Sequence, residues 1–260
     1  MRIPFISRQG RPAQRSRWRW VWLGLAVFAL GDAIYLFVIW PDWEALARGA
    51  TPKSNFIKAY QERAAEDRKL PRLKWKPVPL SSISPPMRRV VIISEDTRFY
   101  SHDGIDPEAI RDAIEYNWEK GKVVFGASTI SQQTVKNLFL SSSRDPLRKW
   151  HELVLTLTME QKLRKRRILE LYLNVAEFGP GIYGVEAAAL HYWGISAAEL
   201  SPDQAVSLAA CLPSPRLHNP RTQTRAYQQR RLRIERHMRE LQRKETPTGA
   251  PSQTAQLLSA

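Results

Sequence analysis

The clearest feature of the hydrophobic and polar pattern is one long apolar run near the N-terminus. Residues Trp20–Trp40 carry a single charge, at Asp32, and about 20 apolar residues span a bilayer as a helix. Tryptophans flank both ends of the run, as is typical of membrane interfaces. A cleaved signal peptide is disfavoured, because the run is too long and no small-residue cleavage site follows it. A buried helix of a soluble protein is disfavoured by the flanking arginines. The pattern predicts one transmembrane helix over residues 20–40.

The charge distribution predicts how this helix is oriented. Residues 1–19 contain six arginines and no acidic residue, so the positive-inside rule places this segment in the cytoplasm. Everything after Trp40 then lies outside the cytoplasmic membrane. Asp32 in mid-span costs about 3 kcal/mol on insertion scales. We expect this carboxyl to be neutral or to face a partner helix.

The remaining pattern predicts one mainly helical domain with appendages. Residues 41–79 are mixed and rich in proline, which indicates a membrane-proximal connector with a helix over 56–68. Residues 80–245 form the main domain, and the small polar residues of 246–260 predict a disordered tail. The run Val90–Ile93 fits a strand or a helix equally well. Helices of the main domain are predicted to begin near Pro85 and Thr129, and to cover about 147–173, 185–192, 202–213 and 222–244.

Two of these helices carry polar groups on defined faces. Thr129 and Gln132 fit a capping box, which places Gln132 and Lys136 on one helix face with Gln133 beside them. In the helix over 147–173, a core stripe of Leu155, Met159 and Leu163 follows the spacing i, i+4, i+8. Glu152 lies on the same side, so its carboxylate is expected to border the core.

Composition narrows the classes of partner. The formal net charge is +15, and the basic excess after the membrane run lies mostly in residues 216–244. Such an excess indicates phosphates on nucleic acid, lipid or a phosphorylated substrate. The lone cysteine, Cys211, excludes an intramolecular disulfide and a cysteine-based zinc site. The histidines show no HExxH-type spacing, so no metal site is predicted from motifs.

The first candidate for chemistry is Glu95, which with Asp96 ends the apolar run Val90–Ile93. Partial desolvation raises the pKa of a carboxyl group toward the range of a general base. Taken alone, a solvated turn with an acidic start would show the same pattern. The segment continues through an aromatic residue and a histidine, Phe99 and His102.

Four motifs in order strengthen this candidate. They are Glu95-Asp-x-x-Phe-x-x-His-x-Gly104, Gly126-x-Ser-Thr-x-x-Gln-Gln-x-x-Lys-Asn137, Arg148-Lys-x-x-Glu152 and Arg167-Ile-Leu-Glu-x-Tyr-Leu-Asn174. Over residues 80–212 the chain resembles the peptidoglycan glycosyltransferases of glycosyltransferase family 51, and the run from Asn174 to Ala189 resembles the monofunctional branch. Ser131 and Arg164 depart from the usual family residues.

The resemblance implies a mainly α, lysozyme-like fold and an inverting hexosyltransferase. The enzyme would polymerise lipid II into β-1,4-linked glycan strands and release undecaprenyl pyrophosphate. Glu95 would be the general base, and Glu152 would be a second catalytic carboxylate that orients a cationic cluster. His102 is not expected to carry a proton in the reaction. The expected substrate-binding residues are Asp96, Phe99, His102, Thr129, Gln133, Lys136, Arg148 and Lys149.

The same resemblance implies the partners and the cellular location of the protein. The partners would be lipid II, the nascent glycan strand and proteins of cell-wall synthesis, in a single-pass inner-membrane protein with a periplasmic catalytic domain. No cofactor is required, and a divalent cation (Mg²⁺ or Mn²⁺) at the pyrophosphate is left open. A lytic enzyme of the same fold is the first alternative, although it would not need a cationic cluster for pyrophosphate. A nucleic-acid binder is disfavoured because the helix over 222–244 lacks interleaved aromatic residues, whereas contact of this helix with the domain or with anionic lipid is expected.

Overall fold

The computed structural model describes residues 13–121, 126–143 and 145–245, and it divides the chain into two compact units at Pro41/Asp42. The first unit contains helix α1 (Ala13–Ile39). Within the part of the chain that the structure describes, its segment Trp18–Ile39 is the one helix long and apolar enough to cross a membrane. The predicted tail over 246–260 lies outside the described residues.

The second unit is mainly helical, as predicted, and contains one small sheet among its described residues. Its helices are α2 (Trp43–Arg48), α3 (Asn55–Glu66), α4 (Pro85–Glu95), α5 (Pro107–Lys120), α6 (Ile130–Phe139), α7 (Pro146–Lys162), α8 (Lys165–Val175), α9 (Val185–Trp193), α10 (Pro202–Ala209) and α11 (Arg225–Glu245). The strands are β1 (Lys74–Trp75), β2 (Glu177–Gly179) and β3 (Ile182–Tyr183). They pair in the order β1-β3-β2, with β1 parallel and β2 antiparallel to β3. Strands this short leave no alternating pattern in the sequence.

The core forms where α4 packs on α10, and α6 packs on α7 and α8. The run Val90–Ile93 is helical and buried throughout, which decides between the two alternatives that its pattern left open. Local chemistry explains the start of α4. Ser84 accepts a hydrogen bond from the Met87 backbone N–H, and proline occupies the first helical position, where it costs no hydrogen bond.

The single helix predicted over 147–173 is wrong, because the structure has two helices, α7 and α8, with a break at Leu163–Arg164. Leu163 is extended, with φ −116° and ψ 143°, and its backbone N–H still donates to the Met159 carbonyl. Its side chain is 4% exposed, so the predicted stripe of Leu155, Met159 and Leu163 is buried across the break. Neither glycine nor proline marks the break in the sequence. Helix α10 also ends earlier than predicted, at Ala209.

The connector packs on helices α6, α7 and α8. Helix α2 contacts α7, and α3 contacts α6. Arg167 of α8 ties α2 down by donating from Nε to the Leu46 carbonyl at 2.9 Å and from Nη2 to the Gly49 carbonyl at 2.7 Å. The predicted helix over 56–68 is α3, capped by the Ser54 hydroxyl. Residues 42–79 therefore belong to the same compact unit as the main domain.

Candidate active site

Glu95 is the last residue of α4 and lines a cavity of about 590 Å³ between α4, α5 and α11. Its side chain is 10% exposed. Gln133 donates from Nε2 to Oε2 of Glu95 at 3.0 Å, and Arg230 donates from Nη2 to Oε1 at 2.7 Å. Both carboxylate oxygens are thus held, and the group faces a space large enough for a substrate.

Burial dominates the titration of this carboxyl group. It raises the pKa of Glu95, while Arg230, the hydrogen bond from Gln133 and the charge of Lys136 act in the opposite direction. Desolvation penalises the charged form, whereas neighbouring cations and donors favour it. A carboxylate with a raised pKa is a stronger base than a solvated one, which suits proton abstraction near neutral pH.

The carboxylate is oriented by a chain of hydrogen bonds. The hydroxyl of Tyr172, on α8, donates to Oε1 of Gln133 at 3.1 Å, and the amide nitrogen of Gln133, on α6, then donates to Glu95. Tyr172 is fully buried, so its position is fixed by the core. Three elements therefore converge on one carboxylate, and Gln133 acts through Glu95 as well as being a predicted substrate ligand.

A cationic cluster formed by Lys136, Arg148 and Lys149 lies on α6 and α7. Glu152 is at its centre, with a side chain only 3% exposed. Arg148 donates from Nη1 to Oε2 of Glu152 at 2.5 Å, and Lys149 donates to Oε1. Burial lowers the pKa of Lys136, Glu152 opposes that shift, and the charges of Arg148 and Lys149 reinforce it. Three cations share one buried carboxylate, so the cluster keeps excess positive charge.

Arg148 and Lys136 determine where the positive charge of the cluster lies. Nε of Arg148 is buried and has no hydrogen-bond partner in the described part of the chain. Lys136 also lowers the pKa of Glu95, so it lies near both the carboxylate of Glu95 and that of Glu152. The cluster therefore places positive charge beside Glu95.

Asp96, His102 and Thr129 support the site from inside the fold. Asp96 accepts from Nε2 of His102 at 2.9 Å and from the backbone N–H of Ile130 at 2.9 Å. Thr129 caps α6 in the predicted capping box, and its hydroxyl donates to the Gly104 carbonyl at 2.7 Å. These bonds hold the segment after Glu95 against the start of α6. Direct contact of the three side chains with substrate stays a prediction.

Phe99 lies in the core, with no exposed surface. The Lys165 ammonium lies over its ring, 4.6 Å from the centroid. Lys165 also pairs with Glu160, whose carboxylate accepts from the Ser131 hydroxyl. Phe99 thus anchors the segment that follows Glu95, and its predicted contact with substrate is not tested by this placement.

The cluster Asp96–His102–Asp106 is the one group of metal-ligand type within the described residues. Its members are already engaged. Nδ1 of His102 accepts from the Gly104 N–H, which leaves the proton on Nε2 for Asp96. Asp106 accepts two hydrogen bonds from Arg98, at 2.8 and 2.9 Å. No ring nitrogen is left to bind a cation, so these residues do not fit a metal ion.

Arg230 is the site residue that the motifs missed. It lies on the C-terminal helix α11, 135 positions after its partner Glu95, outside the four motifs. The spacing of apolar residues on α11 nonetheless indicated that Arg230 lies on the packed face. Tyr227 and Ile234 are buried and lie three residues before and four after Arg230, so all three share one helix face. An arginine on the packed face of a helix needs a partner.

Replacement of Arg230 should change the pH dependence of the reaction. In Arg230→Met, the pKa of Glu95 rises further, because the opposing cation is gone while burial remains. The acidic limb of the rate profile should therefore move to higher pH, and most of the lost rate should return at alkaline pH. Arg231→Gln is the matched control, since Arg231 pairs with Asp203. An unchanged acidic limb in Arg230→Met would show that Arg230 does not act on the base.

Comparison with known proteins identifies the family of the chain. A family model described as Transglycosylase matches residues 63–239. Several relatives are named biosynthetic peptidoglycan transglycosylase. That of Thiobacillus denitrificans is 43% identical over 226 residues, which cover 86% of this chain and 97% of the relative. That of Azoarcus sp. is 45% identical over 202 residues, covering 76% and 86%, respectively.

A third such relative, from Nitrosospira multiformis, is 41% identical over 206 residues, which cover 79% of this chain and 90% of the relative. The family match includes Glu95, the cationic cluster and Arg230. The resemblance inferred from the four motifs and the lysozyme-like fold that it implied are confirmed. The chain belongs to the transglycosylase family.

Proposed function

We propose that this protein is a peptidoglycan glycosyltransferase that polymerises lipid II into β-1,4-linked glycan strands. One observation carries the proposal: a buried carboxylate of raised pKa, Glu95, lies beside the cationic cluster of Lys136, Arg148 and Lys149. A base for a sugar hydroxyl and a receptor for a pyrophosphate are the two parts that this reaction needs. The names of the relatives support the same activity.

Glu95 would act on the acceptor. Its carboxylate removes the proton from the sugar hydroxyl, whose oxygen then attacks the anomeric carbon of the donor. The carbon–oxygen bond to the pyrophosphate breaks, and the anomeric configuration inverts. Gln133 and Arg230 hold the carboxylate during this step, so little reorganisation is needed.

The cationic cluster would act on the donor. Charge accumulates on the pyrophosphate oxygens as the bond breaks, and cations positioned beforehand stabilise that charge. Arg148 offers a planar fork of donors and Lys136 a point charge. Glu152 fixes both Arg148 and Lys149, which supports its role as the orienting carboxylate. Both oxygens of Glu152 already accept from cations of the chain. A divalent cation at the pyrophosphate stays a prediction, which a titration with EDTA and Mg²⁺ would test.

A lytic enzyme of the same fold is the competing function. It would also use an acidic residue near a glycan, but it has no leaving pyrophosphate and no need for the cationic cluster. Incubation of the purified full chain with lipid II, followed by gel analysis, separates the two. Glycan strands formed from lipid II support the transferase, whereas release of short muropeptides from mature sacculi with no polymer from lipid II would overturn it.

We propose a single-pass topology in the inner membrane with a periplasmic domain. The helix Trp18–Ile39 and the arginines before it support this arrangement. Lipid-linked substrate and membrane anchor would then share one bilayer, and proteins of cell-wall synthesis are the expected partners.

The topology predicts the behaviour of reporter fusions. Alkaline phosphatase fused after Lys244 should be active, because this reporter folds only outside the cytoplasm. A fluorescent protein that requires the cytoplasm should be dark at the same junction. As a control, the pair should give opposite results when fused to a variant that lacks residues 1–41. Cytoplasmic fluorescence of the full-length fusion would contradict both the localisation and access to lipid II.

A further inference from the structure

Helix α11 presents two different faces. Tyr227, Ile234 and Arg230 face the domain. The opposite face is exposed and basic, and we define its arginine row as Arg225, Arg236, Arg239 and Arg243. These positions fall within about 60° around the helix at 3.6 residues per turn and extend over about 27 Å along its axis.

The arginine row differs from its neighbours on α11 in its ion pairs. None of its four guanidinium groups forms an ion pair with another described residue, whereas Arg230 and Arg231 of the same helix are paired with Glu95 and Asp203. Surface cations are usually interspersed with acidic residues. Among the α11 side chains that the structure describes, those of residues 225–243, Glu240 is the one exposed acidic residue. The row is therefore a concentrated positive surface, and no acidic side chain of the described residues forms an ion pair with it.

The shape of this surface favours a flat partner. The convex face of a helix has no groove to enclose a sugar or a peptide. Leu232, in the middle of the row, is 56% exposed, and an apolar side chain among arginines is typical of helices that lie at a membrane interface. A nucleic acid is disfavoured by the absence of exposed aromatic residues on this face.

The row also adjoins the active-site cavity. Arg233 and His237 line the cavity that contains Glu95, and both lie beside members of the row on α11. A lipid-linked substrate can reach Glu95 only if the cavity is close to the bilayer surface. We infer that the arginine row docks on the anionic phospholipid head groups of the membrane that holds α1, and so holds the cavity near the bilayer surface. This inference rests on the proposed membrane placement of the domain and not on the reaction.

A fluorescent probe beside the row tests the inference without lipid II. The exposed Gln229, on the same face, is changed to cysteine and labelled with an environment-sensitive dye in the full chain. The native Cys211 is buried and burial raises the pKa of its thiol, so it should not react. The labelled protein is reconstituted in vesicles of phosphatidylcholine, with or without an equimolar share of phosphatidylglycerol.

The emission should shift to shorter wavelength only in vesicles that contain phosphatidylglycerol, and high salt should reverse the shift. Each arginine near an anionic leaflet favours contact by roughly fivefold. Arg236→Gln/Arg239→Gln/Arg243→Gln should therefore weaken contact by about 100-fold and abolish the shift. The control Arg72→Gln/Lys162→Gln/Arg164→Gln removes the same charge from exposed positions outside α11 and should keep the shift.

Three outcomes would overturn the inference. The first is the same emission in both kinds of vesicle, and the second is a shift that survives in the row variant. The third is a shift that appears only when glycan strands are added, which would make the row a binding surface for the carboxylates of the product. Failure of the protein to polymerise lipid II would leave the fluorescence result unchanged, so the two proposals can fail independently.

Discussion

Glu95→Gln should abolish most of the polymerisation of lipid II, with a rate about 10²–10⁴-fold lower than that of the wild-type protein. This range is typical for the loss of a positioned general base. Glutamine keeps the length and planar shape of the side chain but cannot accept the proton of the acceptor hydroxyl. Lipid II binding should change little, because the loss falls on the chemical step.

The hydrogen bonds around residue 95 can adapt to this substitution. Glu95 accepts from Gln133 and Arg230. In the variant, the amide of Gln133 can turn over, so that its oxygen accepts from residue 95 and its nitrogen donates to the Tyr172 hydroxyl. Burial also raises the pKa of the native carboxyl, so an uncharged group removes a desolvation cost. We therefore expect thermal unfolding at or above the wild-type temperature.

The controls for Glu95 are its two rival carboxylates. Asp96→Asn should act through the fold, since Asp96 holds His102 and the start of α6, and should lower the unfolding temperature. Glu152→Gln should slow the reaction by disordering Arg148 and Lys149, but its remaining activity should keep the acidic limb that reports Glu95. Near-normal polymerisation by Glu95→Gln would show that Glu95 is not the base.

The sequence predicted elements that depend on local chemistry. Thr129 and Gln132 form the predicted capping box at the start of α6, because a cap needs only residues three positions apart. Leu155 and Met159 are buried as their spacing predicted. The break at Leu163 was missed for the converse reason. Leu163 leaves the helical conformation and stays buried, and no glycine or proline in the sequence marks the position.

The site was predictable where its residues lie in sequence motifs and not where the fold brings distant residues together. Glu152 was expected to border the core, and its side chain is 3% exposed. Arg230 could not be assigned to Glu95 from spacing, because 135 positions separate them. Their contact depends on how α11 packs on α4, and packing of this kind is decided by the whole core. From the sequence, the basic residues over 222–244 indicated only an excess of positive charge. The structure shows that Arg230 faces the domain, whereas the arginine row is exposed.

The second large effect on turnover is expected from substitutions in the cationic cluster. Arg148→Ala and Lys136→Ala should each lower turnover by about 10²-fold or more, the scale for loss of one preorganised electrostatic contact to a developing charge. Arg148→Lys should recover only part of the rate, since an ammonium keeps the charge but not the planar fork. The loss should appear in kcat more than in KM, because charge on the pyrophosphate grows as the glycosidic bond forms.

A structural pair elsewhere in the chain makes the matched control. Arg48 pairs with Glu44 at 3.4 Å with the same i,i+4 spacing, but both side chains are about four-fifths exposed. Arg48→Ala should therefore change stability by about 0–1 kcal/mol and leave turnover unaffected. Arg148→Ala should cost more stability than this, because the buried Glu152 would lose one of its two hydrogen-bonded cations and keep only the hydrogen bond from Lys149. Thermal unfolding, measured together with single-turnover rates, separates the effect on stability from the effect on catalysis. Normal turnover in folded Arg148→Ala would show that Arg148 does not bind the leaving group. A loss of about 10²-fold in protein that is still folded at the assay temperature would assign it that role.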